Sequence, residues 1–309
     1  MGRVDEAIRR AAATAVETPI DSGQPAYVPS DESFPAEMPD RRPLLQKTAA
    51  APSAVFDPEP VVARIDPGPS ASLFERLDAR VAGKIVVDQN MLPASREQYR
   101  RLAAALHHAQ GATGIKVVMI ASAVAAEGKT LTSSNLALTL SESYHRSVLL
   151  IDADLRRPSL HTIFKISASP GLSEGLHAGG DGKLPVHQVS RTLTVLPAGQ
   201  STSDPMAGLT SPRMRQLIDE AKSEFDWVII DTPPVGLLTD ASLLASIVDG
   251  AILVVRAGET PFDLVQRAVQ AIGASRLLGV VLNAATASGH GYGYKYYSRY
   301  DSVAAPTSR

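Results

Sequence analysis

The chain has 309 residues, of which 44% are hydrophobic, and its 30 basic and 32 acidic side chains give a formal net charge of −2. This composition supports a large core, excludes a wholly disordered chain and argues against a nucleic-acid partner, which requires a basic excess. The chain contains no cysteine, which excludes disulfides, thiolate nucleophiles and cysteine-ligated zinc. Since the sequence has neither an apolar signal core at its start nor an apolar run long enough to span a bilayer, we expect a cytoplasmic protein.

The N-terminal segment, residues 1–83, has the composition of a leader rather than of a core. Eleven of the 22 prolines fall within residues 1–70, where 7 basic and 11 acidic side chains give a local net charge of −4. Such a stretch buries too little apolar surface to offset the entropy of ordering it. We therefore predict a mostly disordered, acidic leader over residues 1–83, with one short helix at residues 4–16 that is either a frayed end or a docking element.

The middle of the chain, residues 84–283, has the pattern of one α/β domain. Apolar runs of strand length alternate there with amphipathic helical patterns. Continuous Val, Ile and Leu strands between helices are typical of a mostly parallel sheet with helices on both faces. The predicted strands are residues 115–120, 148–151, 193–196, 227–230, 251–255 and 278–282, and the predicted helices are residues 129–144, 212–225, 240–248 and 261–274.

The segment AVAAEGKT, at residues 123–130, follows the first of these strands and opens a helix. This context favours a phosphate-binding loop, because loop amides and the positive end of the helix attract phosphate. Lys129 would reach the β- and γ-phosphates, and Thr130 would bind Mg²⁺. Ala123 stands where such loops begin with glycine, so we expect a less strained entry there. The predicted nucleotide-binding residues of this P-loop are Ala125, Ala126, Glu127, Gly128, Lys129, Thr130 and Leu131.

Two further apolar strands end in carboxylates. Asp152 and Asp154 close the segment VLLIDADLR, and Asp231 closes the strand in VIIDTP. Residues two apart on a strand point to the same side, and open α/β sheets bind ligands at the carboxyl ends of their strands. Carboxylates beside a phosphate loop hold Mg²⁺ directly or through water. The alternative is that these acids cap helices or pair with neighbouring arginines.

The last zone, residues 284–309, is predicted to be a flexible tail. Five of the eight tyrosines cluster in it, among glycines and basic residues, and no strand or helix period explains their spacing. These tyrosines are Tyr292, Tyr294, Tyr296, Tyr297 and Tyr300.

The loop AVAAEGKT, the motifs LLIDADLR and VIIDTPP and the tyrosine-rich tail together resemble the bacterial tyrosine kinases of capsule and exopolysaccharide machineries, in the form that lacks its own transmembrane part. The resemblance covers roughly residues 84–300. It implies a P-loop NTPase-type fold that uses ATP and Mg²⁺ and phosphorylates the five tail tyrosines, in trans within an oligomer. The implied catalytic residues are Lys129, Asp152, Asp154 and Asp231, and the implied metal ligands are Thr130, Asp152 and Asp231.

The same resemblance suggests roles for single residues, and it shows where the phosphate loop departs from the family pattern. Asp152 or Asp154 would help to deprotonate the incoming tyrosine. Asn283 matches an asparagine that reads adenine in related ATPases, although a loop-capping role explains it nearly as well. Ala125 and Ala126 replace the proline and glycine that usually precede E-G-K in this family, which suggests reduced ATP turnover.

The segment EQYRRLA, at residues 97–103, resembles the assembly helix E-x-x-R-x-x-R of this family. Glu97 and Arg100 match the motif, whereas Ala103 replaces its last arginine. The alternative is an exposed helix with a Glu97–Arg101 ion pair. The implied partners are a second copy of the chain, a transmembrane adaptor that recruits the chain to the inner face of the cell membrane, and a cognate tyrosine phosphatase.

Three other functions stay open at this point. An ATPase switch like MinD or ParA fits all three nucleotide motifs, but it leaves the five-tyrosine tail unexplained. A non-catalytic regulatory subunit of a polysaccharide export complex agrees with the altered loop, but not with the retained Lys129, Thr130 and three acids. A tail that stacks on RNA is disfavoured by the near-neutral net charge.

Overall fold

The structure is a computed structural model that describes residues 62–65, 73, 77–177, 184–201, 205–235 and 243–285. The chain divides into two compact units, Met1–Glu59 and Pro60–Arg309, and all of the described residues belong to the second unit. The predicted helix at residues 4–16, most of the predicted leader and the five tail tyrosines lie outside the described residues.

One mostly parallel sheet organises the described part of the chain. Its strands are β1 (Val62–Ile65), β2 (Val117–Ser122), β3 (Val148–Asp152), β4 (Leu184–Gln188), β5 (Leu193–Leu196), β6 (Trp227–Asp231), β7 (Gly250–Arg256) and β8 (Leu277–Asn283). They lie in the order β1-β4-β5-β3-β6-β2-β7-β8, and of these described pairs only β4–β5 is antiparallel. The predicted α/β fold with a mostly parallel sheet is therefore confirmed.

The six predicted strands all form, with ends close to the predicted ones. The sequence pattern does not predict β1 and β4. Both are short, and β1 lies in a proline-rich acidic stretch while β4 contains a proline and two polar residues. Their pairing with each other, Val62 against Leu184, brings together segments that lie far apart in the sequence, which no local pattern can indicate.

Seven α-helices around the sheet lie wholly within the described residues. They are α1 (Pro93–Thr113), α2 (Lys129–Leu138), α3 (Leu160–Ile163), α4 (Leu172–His177), α5 (Pro205–Leu209), α6 (Pro212–Glu224) and α7 (Phe262–Ile272). A π-helical turn, Thr139–Ser143, continues α2, so the predicted helices at residues 129–144, 212–225 and 261–274 are confirmed. The predicted helix at residues 240–248 lies partly outside the described residues. None of the helices in the described ranges is long and apolar enough to cross a bilayer.

Local capping sets the ends of the two longest helices. In α6, the Ser211 hydroxyl accepts a hydrogen bond from the Met214 N–H (3.2 Å). Pro212 occupies the first turn of this helix, where its missing N–H costs nothing. In α1, Pro93 occupies the first turn, and the helix ends at Gly114 with φ of 75°, a conformation that glycine adopts without strain.

Strand β2 shows how the two faces of the sheet are covered, because all six of its residues are buried. Val117 and Met119 pack into a core cluster with residues of α6 and α7. Val118 and Ile120 point to the other face and pack with residues of α1 and α2. Burial of each side chain of this size stabilises the folded state by about 1.5–3 kcal/mol. The packed core on both faces therefore fixes the positions of the strand ends.

A segment that precedes α1 also packs on the domain. Leu77 and Ile85 belong to the same core cluster as α1 and α2. The Asn135 side chain on α2 donates to the Lys84 carbonyl (2.9 Å) and accepts from the Val86 N–H (2.7 Å). The folded part of the chain therefore extends N-terminally beyond residue 84, because isolated apolar residues there reach the core.

A partly buried carboxylate links two loops at the carboxyl edge of the sheet. Glu174 on α4 accepts hydrogen bonds from the Gly171 N–H (2.9 Å), the Gln200 N–H (3.0 Å) and the hydroxyls of Ser169 (2.8 Å) and Ser173 (3.0 Å). Partial burial alone would raise the pKa of Glu174, but these donors, Gln200 and Gly171 first, lower its pKa to about 2. The ionised carboxylate thus stabilises the folded state.

We predict that Glu174→Gln lowers the free energy of unfolding at pH 7 by about 1–2 kcal/mol, since the amide cannot accept all four bonds and the site is partly exposed. The folded-state pKa lies below the unfolded value of 4.5, so this stabilisation is full above pH 4.5 and declines as the pH falls toward 2. Urea denaturation at pH 7, 5 and 4 measures the difference. Asp219→Asn, at an exposed position of α6, is the matched control, and an equal loss in both variants would contradict the prediction.

Candidate active site

The phosphate loop and the three predicted acidic residues meet at the carboxyl edge of the sheet. Strands β2, β6 and β3 are neighbours, and each one ends at this edge. Asp152 on β3 lies directly opposite Asp231 on β6, which in turn is the register partner of Ile120 on β2. The loop that follows β2 and the two acidic strand ends are therefore adjacent, as expected for the ligand site of an open α/β sheet.

The phosphate loop, residues 123–128, connects β2 to α2. Two of its residues have positive φ, Ala126 at 65°, which is strained for alanine, and Gly128 at 93°, which glycine adopts without strain. Ala123 is not among the residues with positive φ, so the expectation of a less strained entry at this position is met. A side chain at residue 128 would be strained at this φ, and its Cβ would also displace the Asn283 side-chain amide.

Lys129 and Thr130 are the first two residues of α2, where the helix presents its free N–H groups. Lys129 is only 7% exposed, and its charge acts on both Asp154 and Asp231. The Thr130 hydroxyl accepts a hydrogen bond from the Ser159 hydroxyl (3.2 Å). The helix start thus carries a buried cation and an oriented hydroxyl toward the two acidic strands.

Asp152 is fully buried and has three backbone partners. One oxygen accepts from the Asp154 N–H (3.2 Å), and the other accepts from the N–H groups of Ser159 and Leu160 (both 3.0 Å), at the start of α3. The capping role that the sequence left open therefore exists for this acid. Burial raises the pKa of Asp152 well above its usual range, and the backbone donors oppose this effect only in part.

Asp231 is in the opposite situation. It is fully buried, and among the described residues neither of its carboxylate oxygens accepts a well-formed hydrogen bond. Burial, followed by the charge of Asp152, raises the pKa of Asp231 well above the ordinary value, and the nearby Thr130 hydroxyl and Lys129 charge lower it only in part. A buried carboxylate pair that one lysine neutralises only in part is costly, so oxygen atoms of Asp231, Asp152 and Thr130 fit a hard divalent cation such as Mg²⁺.

Asp154 lies two residues beyond Asp152 and is partly exposed. One of its oxygens accepts from the Arg157 N–H (3.1 Å). Partial burial raises the pKa of Asp154, while that N–H and the charge of Lys129 lower it. Among the three acids, Asp154 is therefore the one with both solvent access and an increased affinity for a proton.

Asn283 ends β8 beside the phosphate loop. Its side-chain amide donates to the Glu127 carbonyl (2.8 Å), and its side-chain oxygen accepts from the Ala284 N–H (2.8 Å). These bonds agree with the loop-capping alternative, and an adenine contact stays a prediction. Ser159 is a site residue that sequence reasoning misses, because it lies outside the acidic motif and only the turn before α3 returns it to Asp152.

We predict that Asp231→Asn increases the free energy of unfolding of the metal-free protein at pH 8 by about 1–3 kcal/mol, because it removes a buried charge next to Asp152. The raised folded-state pKa means that the folded protein keeps a proton that the unfolded chain releases above pH 4. The contribution of Asp231 to the free energy of unfolding therefore declines as the pH rises from 4 to 8, and the gain from the substitution is smaller at pH 5.5.

Chemical denaturation in the presence of a chelator, at pH 5.5 and pH 8, measures this gain. Asp152→Asn is the matched comparison, and we expect it to be destabilising at both pH values, because an amide cannot accept all three backbone N–H bonds. A loss of stability in Asp231→Asn at pH 8 would contradict the interpretation of this carboxylate as an uncompensated charge.

Comparison with known proteins agrees with this site. The family model described as ParA: NUBPL iron-transfer P-loop NTPase matches residues 114–298, more than half of the chain. The tyrosine-protein kinase YwqD of Bacillus subtilis is 37% identical over 202 residues, which cover 64% of this chain and 85% of that protein. The succinoglycan biosynthesis transport protein ExoP of Rhizobium meliloti is 34% identical over 216 residues, which cover 68% of this chain and 27% of that protein.

Comparison with solved structures also finds a tyrosine kinase domain. The kinase domain of the Escherichia coli tyrosine kinase ETK aligns with a TM-score of 0.57 and 34% identity, over 63% of this chain and 80% of that chain. The region matched by the family model includes the phosphate loop, both acidic strand ends and the strand that leads to the tyrosine-rich tail. The chain therefore belongs to the bacterial tyrosine kinases, a family with the P-loop NTPase fold.

Proposed function

We propose that this chain is an ATP-dependent protein tyrosine kinase that transfers the γ-phosphoryl group to tyrosines of its own C-terminal tail. The observation that carries the proposal is the buried pair Asp152 and Asp231 beside the phosphate loop, with no well-formed hydrogen bond to Asp231 among the described residues. The tail sequence after β8 supplies five tyrosines as acceptors. A P-loop site explains nucleotide binding, and the tail explains where the phosphoryl group goes.

In this proposal, the loop amides, the N-terminus of α2 and Lys129 bind the phosphates of ATP. Thr130, Asp152 and Asp231 would hold Mg²⁺, which when bound neutralises charge on the phosphoryl oxygens. These residues also align the γ-phosphoryl group with the incoming phenol oxygen, and positioning of this kind supplies most of the catalysis.

Asp154 is the proposed proton acceptor. The phenol of tyrosine has a pKa of about 10, so its proton must leave as the new bond forms. The phenol oxygen bonds to the γ-phosphorus, the bond from that phosphorus to the β–γ bridging oxygen breaks, ADP leaves, and the phenol proton passes to the Asp154 carboxylate. Its raised pKa makes Asp154 a stronger base than an ordinary aspartate.

The tail is long enough to reach the site of its own or a neighbouring subunit. Tyr292 lies nine positions after Asn283, and Tyr300 lies seventeen positions after it. At about 3.3–3.6 Å per residue, these spacings correspond to roughly 30–60 Å of extended chain. We propose transfer in trans within an oligomer, as the family resemblance implies.

The proposed assembly surface lies on α1. Glu97 and Arg101 form an ion pair of 3.5 Å, and the neighbouring Arg100 is exposed. Ala103, at the position of the third motif residue, is fully buried against the core, so an arginine would not fit there without moving α1. Assembly through this helix therefore rests on Glu97 and Arg100.

We further propose a role in capsule or exopolysaccharide synthesis and export, in agreement with the name of the succinoglycan relative. A transmembrane adaptor would recruit the chain to the inner face of the cell membrane, and a tyrosine phosphatase would reverse the modification. These partners are expected from the family resemblance.

We predict that purified protein, first cleared of phosphate by a tyrosine phosphatase, gains phosphotyrosine with Mg²⁺ and ATP. Lys129→Met is expected to reduce the signal at least about 100-fold, since phosphate neutralisation is lost. Replacement of the five tail tyrosines by phenylalanine should abolish the signal while nucleotide binding persists. Phosphotyrosine immunodetection and mass spectrometry measure both effects.

Lys84→Met is the matched control, because Lys84 is exposed and lies outside the site. ATP hydrolysis that requires Lys129, without any phosphotyrosine, would contradict the kinase proposal and favour an ATPase switch. Loss of both activities, also with a candidate membrane adaptor present, would favour a non-catalytic subunit.

A second prediction concerns assembly. Arg100→Ala should weaken self-association about tenfold or more, because one contact with a charged group accounts for roughly that factor at an interface. Analytical ultracentrifugation over a concentration series measures the dissociation constant, and Arg215→Ala, at an exposed position of α6, is the control. Equal association of both variants would exclude α1 as the assembly surface.

A further inference from the structure

An acidic side chain, Glu127, lies near the end of the phosphate loop. Glu127 is 1% exposed, and a carboxylate at this position would repel a phosphate unless its oxygens had other partners. One oxygen accepts from the Val124 N–H (2.8 Å), which closes the loop on itself. The Val124 carbonyl is held as well, by the Ser122 hydroxyl (2.7 Å). The Glu127 side chain therefore connects the beginning and the end of the loop by a hydrogen bond.

The other Glu127 oxygen is held from outside the loop. It accepts from the Arg256 N–H (3.2 Å) at the end of β7 and from the hydroxyl of Thr260, just before α7. The Thr260 hydroxyl oxygen also accepts from the Arg256 N–H (3.2 Å), so it is part of a compact three-residue network. Strand β7 neighbours β2, which brings this connection next to the loop.

A third contact holds the Glu127 backbone. The Asn283 side chain donates to the Glu127 carbonyl (2.8 Å), and the Ala257 N–H donates to the Asn283 carbonyl (2.9 Å). The loop sequence AVAAEG has alanine at three positions and no proline, so its own residues restrict its shape weakly. Its shape is therefore imposed by residues 256–260 and by the end of β8.

We infer that Thr260 is a positioning residue for nucleotide binding, which acts by holding Glu127 and thereby the loop amides in the phosphate-binding arrangement before nucleotide arrives. Thr260 lies 133 residues from Glu127 in sequence and outside all three nucleotide motifs. A preformed loop spares the ordering entropy on binding, so the effect falls on nucleotide affinity. The inference rests on the nucleotide binding that the proposed function requires.

The test is equilibrium binding of a fluorescent ADP analogue, with and without Mg²⁺, to the full chain. Thr260→Val keeps the shape of the side chain and removes the hydroxyl, and we expect it to weaken binding about tenfold. Thr260→Ser retains the hydroxyl and should restore affinity to within about twofold. Thr113→Val, which removes a hydroxyl bound to the Ala109 carbonyl on α1, is the matched control and should bind as the unaltered protein does.

Two further readouts separate positioning from general stability. In turnover assays, Thr260→Val should raise the KM for ATP about tenfold and change kcat less than about twofold, because the affected contact acts on binding. In a Glu127→Ala background, which removes the carboxylate that accepts the Thr260 hydroxyl, Thr260→Val should have less than about a twofold effect on affinity, because the partner that it acts through is gone.

Unchanged ADP affinity in Thr260→Val, or a lowered thermal midpoint as its only defect, would overturn the inference. Equal effects of Thr260→Val in the two backgrounds would overturn it as well, and this comparison uses only variants that retain a cooperative thermal transition. If the unaltered protein itself binds no nucleotide, the proposed function fails instead.

Discussion

The site depends on two carboxylates that the sheet forces together. Asp152 and Asp231 are register partners on adjacent buried strands, so neither can move away without breaking the ladder between β3 and β6. Three backbone donors compensate Asp152, whereas Asp231 accepts no well-formed hydrogen bond from the described residues. The apolar faces of the sheet supply the stability that keeps this unfavourable pair in place, and the pair is therefore suited to bind a cation.

The phosphate loop is shaped by its surroundings more than by its own residues. Three alanines leave it with few intrinsic restraints, and Ala126 adopts a left-handed conformation that costs about 1–3 kcal/mol. Contacts from the β7–α7 connection and from Asn283 offset this cost. Since Asn283 is the last residue before the tail, its contact with the phosphate loop places the start of the tail beside the nucleotide site.

Helix α1, where we propose the assembly surface, is a neighbour of α2, where we propose phosphate binding. Helix α1 packs against α2, whose first residue is Lys129, and both helices contribute to the same core cluster. Ala103 is fully buried in this core, which suits alanine. The arginine of the family motif would not fit at this position. The proposed assembly surface on α1 and the proposed phosphate-binding residues of α2 therefore belong to one packed layer.

The sequence by itself determined the mostly parallel sheet, six of its eight described strands, the phosphate loop and the three acidic residues at strand ends. These features are local, since they follow from apolar runs, from helix periodicity and from short motifs. Strands β1 and β4, the hydroxyl of Ser159, the different surroundings of Asp152 and Asp231, and the Glu127–Thr260 contact were decided only by the tertiary structure. Each of them depends on which distant segments meet and on how much water their meeting excludes, and these two quantities are properties of the packed fold rather than of any sequence window.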